Sequence, residues 1–269
     1  MKNVALGQYF PGSSLMHRMD PRVKLLLTLA IIVLIFFVHT YWGYLAVLGM
    51  LLLAVACSRI SIKFVLKGIK PMWFVILLTF IMNIFFLTGE KILWQWGAVK
   101  IYQEGLEKAI ELAIRLILLV MCSTILTLTT SPKEITDALE SLLRPLKIVH
   151  FPVHEMALMM SIALRFIPTL IEETDKIMNA QKARGAMLDN GSMMERVKAL
   201  VPVLIPLFIS AFRRADELAM AMECRCYRGG DGRTRLKVLR CTRQDYIDLA
   251  VCIVCFMVIL SSRLVFPNF

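Results

Sequence analysis

Residues 25–58 read LLLTLAIIVLIFFVHTYWGYLAVLGMLLLAVACS and contain no Asp, Glu, Lys or Arg. As one helix, this stretch would be roughly 50 Å long, well beyond a hydrocarbon core of about 30 Å. The cluster of residues 39–43 (HTYWG) divides it, because aromatic residues collect at membrane interfaces. The stretch therefore predicts two membrane-spanning helices joined by a short turn.

Three further apolar runs cover residues 71–88, 109–130 and 246–266. The third of these five predicted spans opens at Pro71, and proline suits the first turn of a helix. Glu111 and Arg115 lie four residues apart in the fourth, where they can compensate each other. With 58% hydrophobic residues and a mean hydropathy of +0.69, the chain is predicted to be an all-α polytopic membrane protein with about five transmembrane helices.

The loop charges predict the orientation of the chain. The loop after the second span carries only basic charges, whereas lysines and glutamates balance in the next loop. The positive-inside rule places the N-terminus, the first of these loops and the region after residue 130 in the cytosol, so we expect a multi-pass protein of the cell membrane. The basic residues of the first loop are Arg59, Lys63, Lys67 and Lys70.

Residues 131–245 differ in kind from the spans. A helix start at Ser131-Pro132-Lys133-Glu134 combines a cap, a proline and a capping-box glutamate. Two further amphipathic helices are expected at about 153–184 and 193–224, from the helical spacing of their apolar residues. We therefore predict three domains: residues 1–130 with four spans, a cytosolic coupling domain over residues 131–245, and a C-terminal transmembrane helix over residues 246–269.

The second and third of these amphipathic helices carry wide apolar stripes. Such stripes often fill a core, and they can also form an adaptable surface for a partner or for the inner membrane surface. We expect the following residues to make such contacts: Met156, Met159, Met160, Ala163 and Phe166 on the second helix, and Leu200, Leu204 and Phe208 on the third.

Two arginines lie at the ends of the same two helices. Arg184 stands between Ala183 and Gly185, and Arg225 stands in Cys224-Arg225-Cys226. A basic residue at a helix C-terminus can simply complement the helix dipole. A hairpin of helices this long, however, would present the two arginines tens of Å apart, which suits two anchors for a large partner. The planar guanidinium also suits docking, because it binds carboxylates and carbonyls through two parallel hydrogen bonds.

Other functions find little support in the sequence. No G-x-x-x-x-G-K-[ST] motif occurs, so any ATP hydrolysis must take place on another polypeptide. The spacing of Cys224, Cys226 and Cys241 fits no common zinc site, and we expect no metal, cofactor or catalytic residues. The net charge of +11 suits anionic lipid and acidic proteins, whereas a chain this apolar is a poor candidate for nucleic-acid binding.

Three stretches of the chain resemble the transmembrane T component of energy-coupling factor (ECF) importers, EcfT, which is related to the CbiQ proteins. The first reads MDPRVK at residues 19–24, ahead of the first span. The second comprises RFIP at 165–168 and AQKARG at 180–185, and the third reads AMECRCYRG at 221–229. The order and spacing of these stretches and the hydropathy of the chain match those of the family, so the resemblance covers nearly the whole chain.

The resemblance implies a scaffold in the cell membrane of a prokaryote. Its coupling helices would join two ABC ATPase subunits of the EcfA type to a small membrane S component, which binds a vitamin or another micronutrient. Carried over residue by residue, Arg184 and Arg225 would each dock in a groove of one ATPase. The second motif departs from the family pattern, because Cys226 stands where glycine is usual. The bulkier side chain raises the question of whether the local backbone differs.

Two alternatives from other classes stay open at this point. A stand-alone secondary carrier or channel would transport without ATPase subunits, although the spans lack the set of acids and bases expected of an ion-coupled carrier. A membrane enzyme built on the cytosolic hairpin would need a catalytic constellation, and the sequence offers none.

Overall fold

The protein is described by a computed structural model that covers residues 9–38, 40–89, 91–96, 99–149, 151–186 and 193–230, together with 245–246, 249–250, 253–254 and 257. The chain divides into two compact units. One comprises Met1–Leu6 and Leu139–Lys237, and the other comprises Gly7–Ala138 and Val238–Phe269. The division into three domains stays a prediction.

The larger unit is an apolar helical bundle. Its elements are α1 (Leu15–Arg18), α2 (Pro21–Phe37), α3 (Tyr41–Ser58), α4 (Ile62–Ile69), a 3-10 turn (Lys70–Met72), α5 (Trp73–Phe86), β1 (Ile92–Trp96), β2 (Val99–Tyr102) and α6 (Gln103–Thr129). The predicted all-α membrane fold is confirmed. A two-stranded antiparallel hairpin between α5 and α6, with Trp96 opposite Val99, was not predicted.

The predicted break within residues 25–58 is confirmed. α2 ends at Phe37, and α3 begins four residues later at Tyr41. The turn is held by Tyr44, whose hydroxyl donates to the carbonyl of Val38 at 2.8 Å. With 17 and 18 residues, α2 and α3 each have a length close to the thickness of the hydrocarbon core.

α6 is the central element of this unit and packs against α2, α3, α4 and α5. The buried core runs along it, with Leu34 and Ile35 of α2, Val47 and Leu51 of α3, and Leu118 of α6. Most other apolar side chains of α2, α3 and α5 point outward, as expected of helices that face lipid.

Glu111 and Arg115 form the predicted pair on α6, with Arg115 Nη2 and Glu111 Oε1 2.8 Å apart. Arg115 also donates to the hydroxyl of Tyr44 at 2.9 Å and to the carbonyl of Val38 at 3.3 Å. The ion pair therefore does more than balance its own charges, because it ties α6 to the turn between α2 and α3.

Four helices are long and apolar enough to cross a membrane among the residues described: Tyr41–Ser58, Ile62–Phe86, Gln103–Thr129 and Val153–Ala183. The 17 residues of α2 form a further apolar helix. Most of the predicted last span, residues 246–266, lies outside the described residues. The number of five spans therefore stays a prediction, as does the cytosolic placement of Val153–Ala183.

The three helices predicted for residues 131–224 are observed as α7 (Pro132–Leu143), α8 (Val153–Ala183) and α9 (Met193–Cys224). The predicted capping box begins α7: the Glu134 N–H donates to Ser131 Oγ at 3.3 Å, and the Ser131 N–H donates to Glu134 Oε2 at 3.0 Å. A 3-10 turn (Arg144–Val149) follows α7. The predicted turn at 188–192 lies outside the described residues.

In the smaller unit, α8 and α9 form an antiparallel hairpin. Gln181 Nε2 donates to the carbonyl of Pro202 at 3.3 Å, near the end of α8 and the start of α9. Farther along, Arg214 of α9 lies 3.6 Å from Glu173 of α8. The residue numbers fall along α8 as they rise along α9, which establishes the antiparallel direction.

Candidate functional site

The first arginine motif forms the end of α8. Arg184 caps the helix, and Gly185 follows with φ +87°, in the left-handed region that favours glycine. The Ala186 N–H donates to the Gln181 carbonyl and the Gly185 N–H donates to the Lys182 carbonyl, both at 3.0 Å. These two hydrogen bonds define a Schellman motif, which satisfies carbonyls that the helix end would otherwise leave unpaired.

The second arginine motif ends α9 in the same way. The Tyr227 N–H donates to the Met222 carbonyl at 3.0 Å, and the Cys226 N–H donates to the Glu223 carbonyl at 2.8 Å. Cys226 has φ +55° and takes the place that Gly185 takes in the first motif. Arg225 therefore corresponds to Arg184, one residue before the left-handed position.

The departure from glycine at Cys226 thus leaves the hydrogen-bond pattern of the helix end intact. A left-handed conformation costs an L-residue roughly 1–2 kcal/mol, because Cβ approaches the following carbonyl oxygen. The described backbone accepts this strain at Cys226, as it does at Arg59 at the end of α3, where φ is +56°. The question raised by the sequence is answered: both arginines stand on the same type of helix end.

Both arginines are exposed to solvent, as are their neighbours Ala183, Gly185, Cys224 and Cys226. Neither guanidinium has a hydrogen bond or an ion pair with any residue that the structure describes. A cation at a helix C-terminus gains from the helix dipole, but this gain does not require a defined partner. Within the described ranges, nothing occupies either guanidinium group.

The hairpin holds the two motifs far apart. The 31 residues of α8 correspond to a length of roughly 46 Å. The segment after α9 returns to the start of α8, where Gly230 lies so close to the His154 ring that an added Cβ would clash with it. His154 is itself held by Glu140, at 3.1 Å between Nδ1 and Oε1. Arg225 thus lies toward the start of α8, whereas Arg184 lies at its end.

Most of the predicted contact residues are exposed in the smaller unit. On α8, Met156, Met159, Met160 and Ala163 are exposed, and Phe166 is half-buried. On α9, Leu200, Leu204 and Phe208 are exposed, the last by 61% of its surface. Phe208 therefore does not fill a core among the described residues. Exposed apolar side chains grouped on one surface often mark a contact with protein or membrane.

A buried polar junction in the larger unit escaped the sequence analysis. Asp20 caps α2 by accepting from the Arg22 N–H at 2.9 Å, and its own N–H donates to Asp245 Oδ1 at 3.0 Å. Lys24 reaches the last turn of α6, where Nζ donates to the carbonyl of Thr129 at 3.2 Å. The residues of the MDPRVK stretch thus join α2 to the end of α6 and to Asp245.

One signal in the sequence could have pointed to this junction. Lys24 lies one turn inside an apolar helix, and a buried lysine needs acceptors nearby. Asp245, which stands immediately before the last apolar run, is the kind of residue that could provide one.

The similarity to known proteins extends over nearly the whole chain. The sequence profile of CbiQ, described as "Cobalt transport protein", matches residues 12–236. The energy-coupling factor transporter transmembrane protein EcfT of Ruminiclostridium cellulolyticum is 52% identical over 266 residues, which cover 99% of each chain. The chain belongs to the EcfT proteins of the CbiQ family. It is therefore a membrane component of a transporter family and not an enzyme.

Two further EcfT proteins show that the match does not depend on one relative. That of Clostridium kluyveri is 48% identical over 265 residues, covering 98% of each chain. That of Bacillus subtilis is 48% identical over 246 residues, covering 91% of this chain and 92% of the relative. The match to the EcfT of Ruminiclostridium cellulolyticum spans the positions of both arginine motifs, because it covers 99% of the chain.

Proposed function

We propose that this protein is the coupling subunit of an energy-coupling factor importer. It binds two ABC ATPases through Arg184 and Arg225 and binds a substrate-carrying S component through the apolar faces of α8 and α9. ATP hydrolysis takes place on the ATPases, and the hairpin transmits their movement. The substrate is a vitamin or another micronutrient, recognised by the S component.

The observation that carries this proposal is the equivalence of the two arginine motifs. Two unpaired guanidinium groups stand on matching Schellman ends of one hairpin, separated by a helix roughly 46 Å long. A small ligand cannot bridge such a distance. Two copies of a similar docking groove, one on each ATPase, fit two equivalent anchors.

The anchors also have suitable chemistry. Arginine keeps its charge at all physiological pH values, and its rigid fork matches carboxylates and helix-end carbonyls. A charge-assisted hydrogen bond that becomes buried on docking is worth more than the same contact in water. The exposed arginines can therefore gain most of their binding energy in the complex.

The apolar faces fit the second partner. A membrane protein that binds the substrate exposes apolar helices, and the methionines of α8 supply adaptable side chains for packing against them. In this arrangement the apolar faces hold the S component while the helix ends hold the ATPases, so movement of one partner is carried to the other by rigid helices.

The experiment that tests this function is purification of the tagged chain in mild detergent, identification of the chains that co-purify, and reconstitution in proteoliposomes. We expect two ATPase chains and a small membrane protein, with substrate uptake that requires all of them and ATP. Uptake by the single chain, with no ATPase present, would support the alternative of a stand-alone carrier or channel. ATP turnover by the single chain would also contradict the proposal.

A further inference from the structure

We propose that the outer face of α4 is a binding site for the headgroups of anionic phospholipids. This inference concerns a part of the chain that plays no role in the coupling function proposed above, and it can fail without affecting that function.

The basic residues of α4 and of the 3-10 turn that follows it form a stripe along one face. Lys63, Lys67 and Lys70 are spaced by four and three residues, which places them on the same side of a helix. Arg59 precedes them at the end of α3. All four side chains are exposed, and none has an ion pair or a hydrogen bond with a described residue. No acidic residue occurs between Arg59 and Gly89 to neutralise them.

The opposite face of α4 is fixed to the bundle. Val65 is buried with 1% of its surface exposed. Gly68 lies so close to α6 that an added Cβ would be 2.6 Å from Thr124 Oγ1. The helix therefore cannot rotate to bury its lysines, and the stripe is held at a defined place on the membrane bundle.

The surroundings of the stripe favour lipid over an acidic protein. Phe64 and Leu66 are exposed beside the lysines, and Trp73 is exposed where α5 begins. Basic residues interleaved with exposed apolar and aromatic side chains are typical of segments at the boundary between headgroups and acyl chains. α4 is also the first part of the helical stretch Ile62–Phe86, which is long and apolar enough to cross the membrane.

A headgroup phosphodiester fits this face chemically. Each lysine offers three N–H donors and a positive charge, and the adjoining apolar side chains can contact the acyl chains of the same lipid. A basic residue near an anionic membrane surface raises binding roughly five-fold. Three lysines acting together therefore distinguish an anionic lipid from a zwitterionic one.

The test uses the purified full-length chain in a zwitterionic detergent, with its melting temperature followed while phosphatidylglycerol is added. The test variant carries Lys63→Gln, Lys67→Gln and Lys70→Gln. A matched control carries Lys133→Gln, Lys176→Gln and Lys198→Gln, which removes the same charge from exposed lysines elsewhere. A third variant replaces Lys63, Lys67 and Lys70 by arginine and keeps the charge.

We expect phosphatidylglycerol to raise the melting temperature of the parent, the control and the arginine variant. The glutamine variant of α4 should need at least about ten-fold more lipid for the same rise. Phosphatidylcholine and inorganic phosphate should have no effect, and 0.5 M NaCl should weaken the effect of phosphatidylglycerol on the parent.

Three outcomes would overturn the proposal. The first is an equal response of the parent and the α4 glutamine variant. The second is an equal effect of inorganic phosphate, which would assign the face to free anions. The third is loss of co-purifying soluble subunits from the glutamine variant while its lipid response stays intact, which would assign the face to a protein partner. If the triple glutamine variant does not fold, the single variant Lys67→Gln, in the middle of the stripe, should still need about five-fold more phosphatidylglycerol than the parent, and an unchanged requirement would overturn the proposal.

Discussion

Gly185 and Cys226 occupy the same position in two helix ends: each follows an arginine, has a positive φ and donates its N–H to the carbonyl three residues earlier. Glycine adopts this conformation readily, whereas cysteine is strained in it because its Cβ approaches the following carbonyl oxygen. The equivalence identifies Arg184 and Arg225 as a matched pair, although their sequence contexts differ.

The first prediction concerns this strain. Gly185→Ala should loosen the end of α8 by about 1 kcal/mol, because alanine disfavours φ +87° while its Cβ meets nothing within 4 Å. Cys226→Gly should leave the end of α9 at least as stable as in the parent. Hydrogen exchange of the Ala186 and Tyr227 amides measures both ends. Equal protection of the Ala186 amide in the parent and in Gly185→Ala would contradict the assigned strain.

The second prediction concerns the apolar faces of the hairpin. Met160→Glu on α8 and Leu204→Glu on α9 should each weaken binding of the S component at least ten-fold, which is about 1.4 kcal/mol, because a glutamate would be buried unpaired. The measurement is the amount of S component that co-purifies, with the amount of ATPase recorded in parallel.

The control for that prediction is Asn179→Glu, which adds the same charge at an exposed polar position of α8. We expect it to retain the S component. If all three variants retain it equally, these faces do not form the contact.

The third prediction concerns the buried junction at the start of α2. Lys24→Met removes the cation that reaches the Thr129 carbonyl and lies near Asp20 and Asp245. Deleting one partner of such a buried set leaves uncompensated charge and typically costs about 3–5 kcal/mol. The melting temperature in detergent should fall clearly, whereas Lys133→Met, at an exposed position, should leave it unchanged. Equal melting temperatures for the two variants would show that Lys24 is dispensable.

The fourth prediction concerns the segment after α9. Gly230→Ala places a Cβ against the His154 ring, near its base, where the side chain cannot easily yield. The variant should displace the segment that follows Arg225 and weaken ATPase binding at that motif. Adding His154→Ala removes the ring and should restore binding in the double variant. Loss of binding that persists without the ring would exclude this steric explanation.

Local patterns in the sequence predicted the long helices, whereas α4 formed where a loop was expected after the second span. The break at 39–43 followed from aromatic and polar residues within an apolar run, and the start of α7 followed from its capping box. Both features depend on residues a few positions apart, so the chemistry that creates them is visible in the sequence itself.

The features that sequence analysis missed depend on distant residues or on rare conformations. The hydrogen bond between the Asp20 N–H and Asp245 joins residues 225 positions apart, and no local pattern can contain it. A left-handed cysteine is uncommon, so the sequence suggested a changed backbone at Cys226, where the helix end kept its hydrogen bonds instead. The β1–β2 hairpin is an exception, because its signal is local: residues 92–96 (ILWQW) and 99–102 (VKIY) are short runs rich in aromatic and β-branched residues, which are typical of strands but too short to span a membrane.

The central claim is that Arg184 and Arg225 are the two anchors for the ATPases. The most direct test measures ATPase co-purification and substrate uptake for Arg184→Ala, Arg225→Ala, the double alanine variant and the double lysine variant. Each single variant should keep part of its ATPase, because the remaining anchor holds the complex at high effective concentration. Lysine should rescue poorly, since an ammonium group lacks the fork geometry of arginine.

The double alanine variant decides the question. Losing the charge from a buried pair costs about 2–5 kcal/mol at each site, so this variant should insert into the membrane and retain the S component, yet bind no ATPase and take up no substrate. Assembly and uptake at the level of the parent would contradict the claim and reduce both arginines to ordinary surface charges at helix ends.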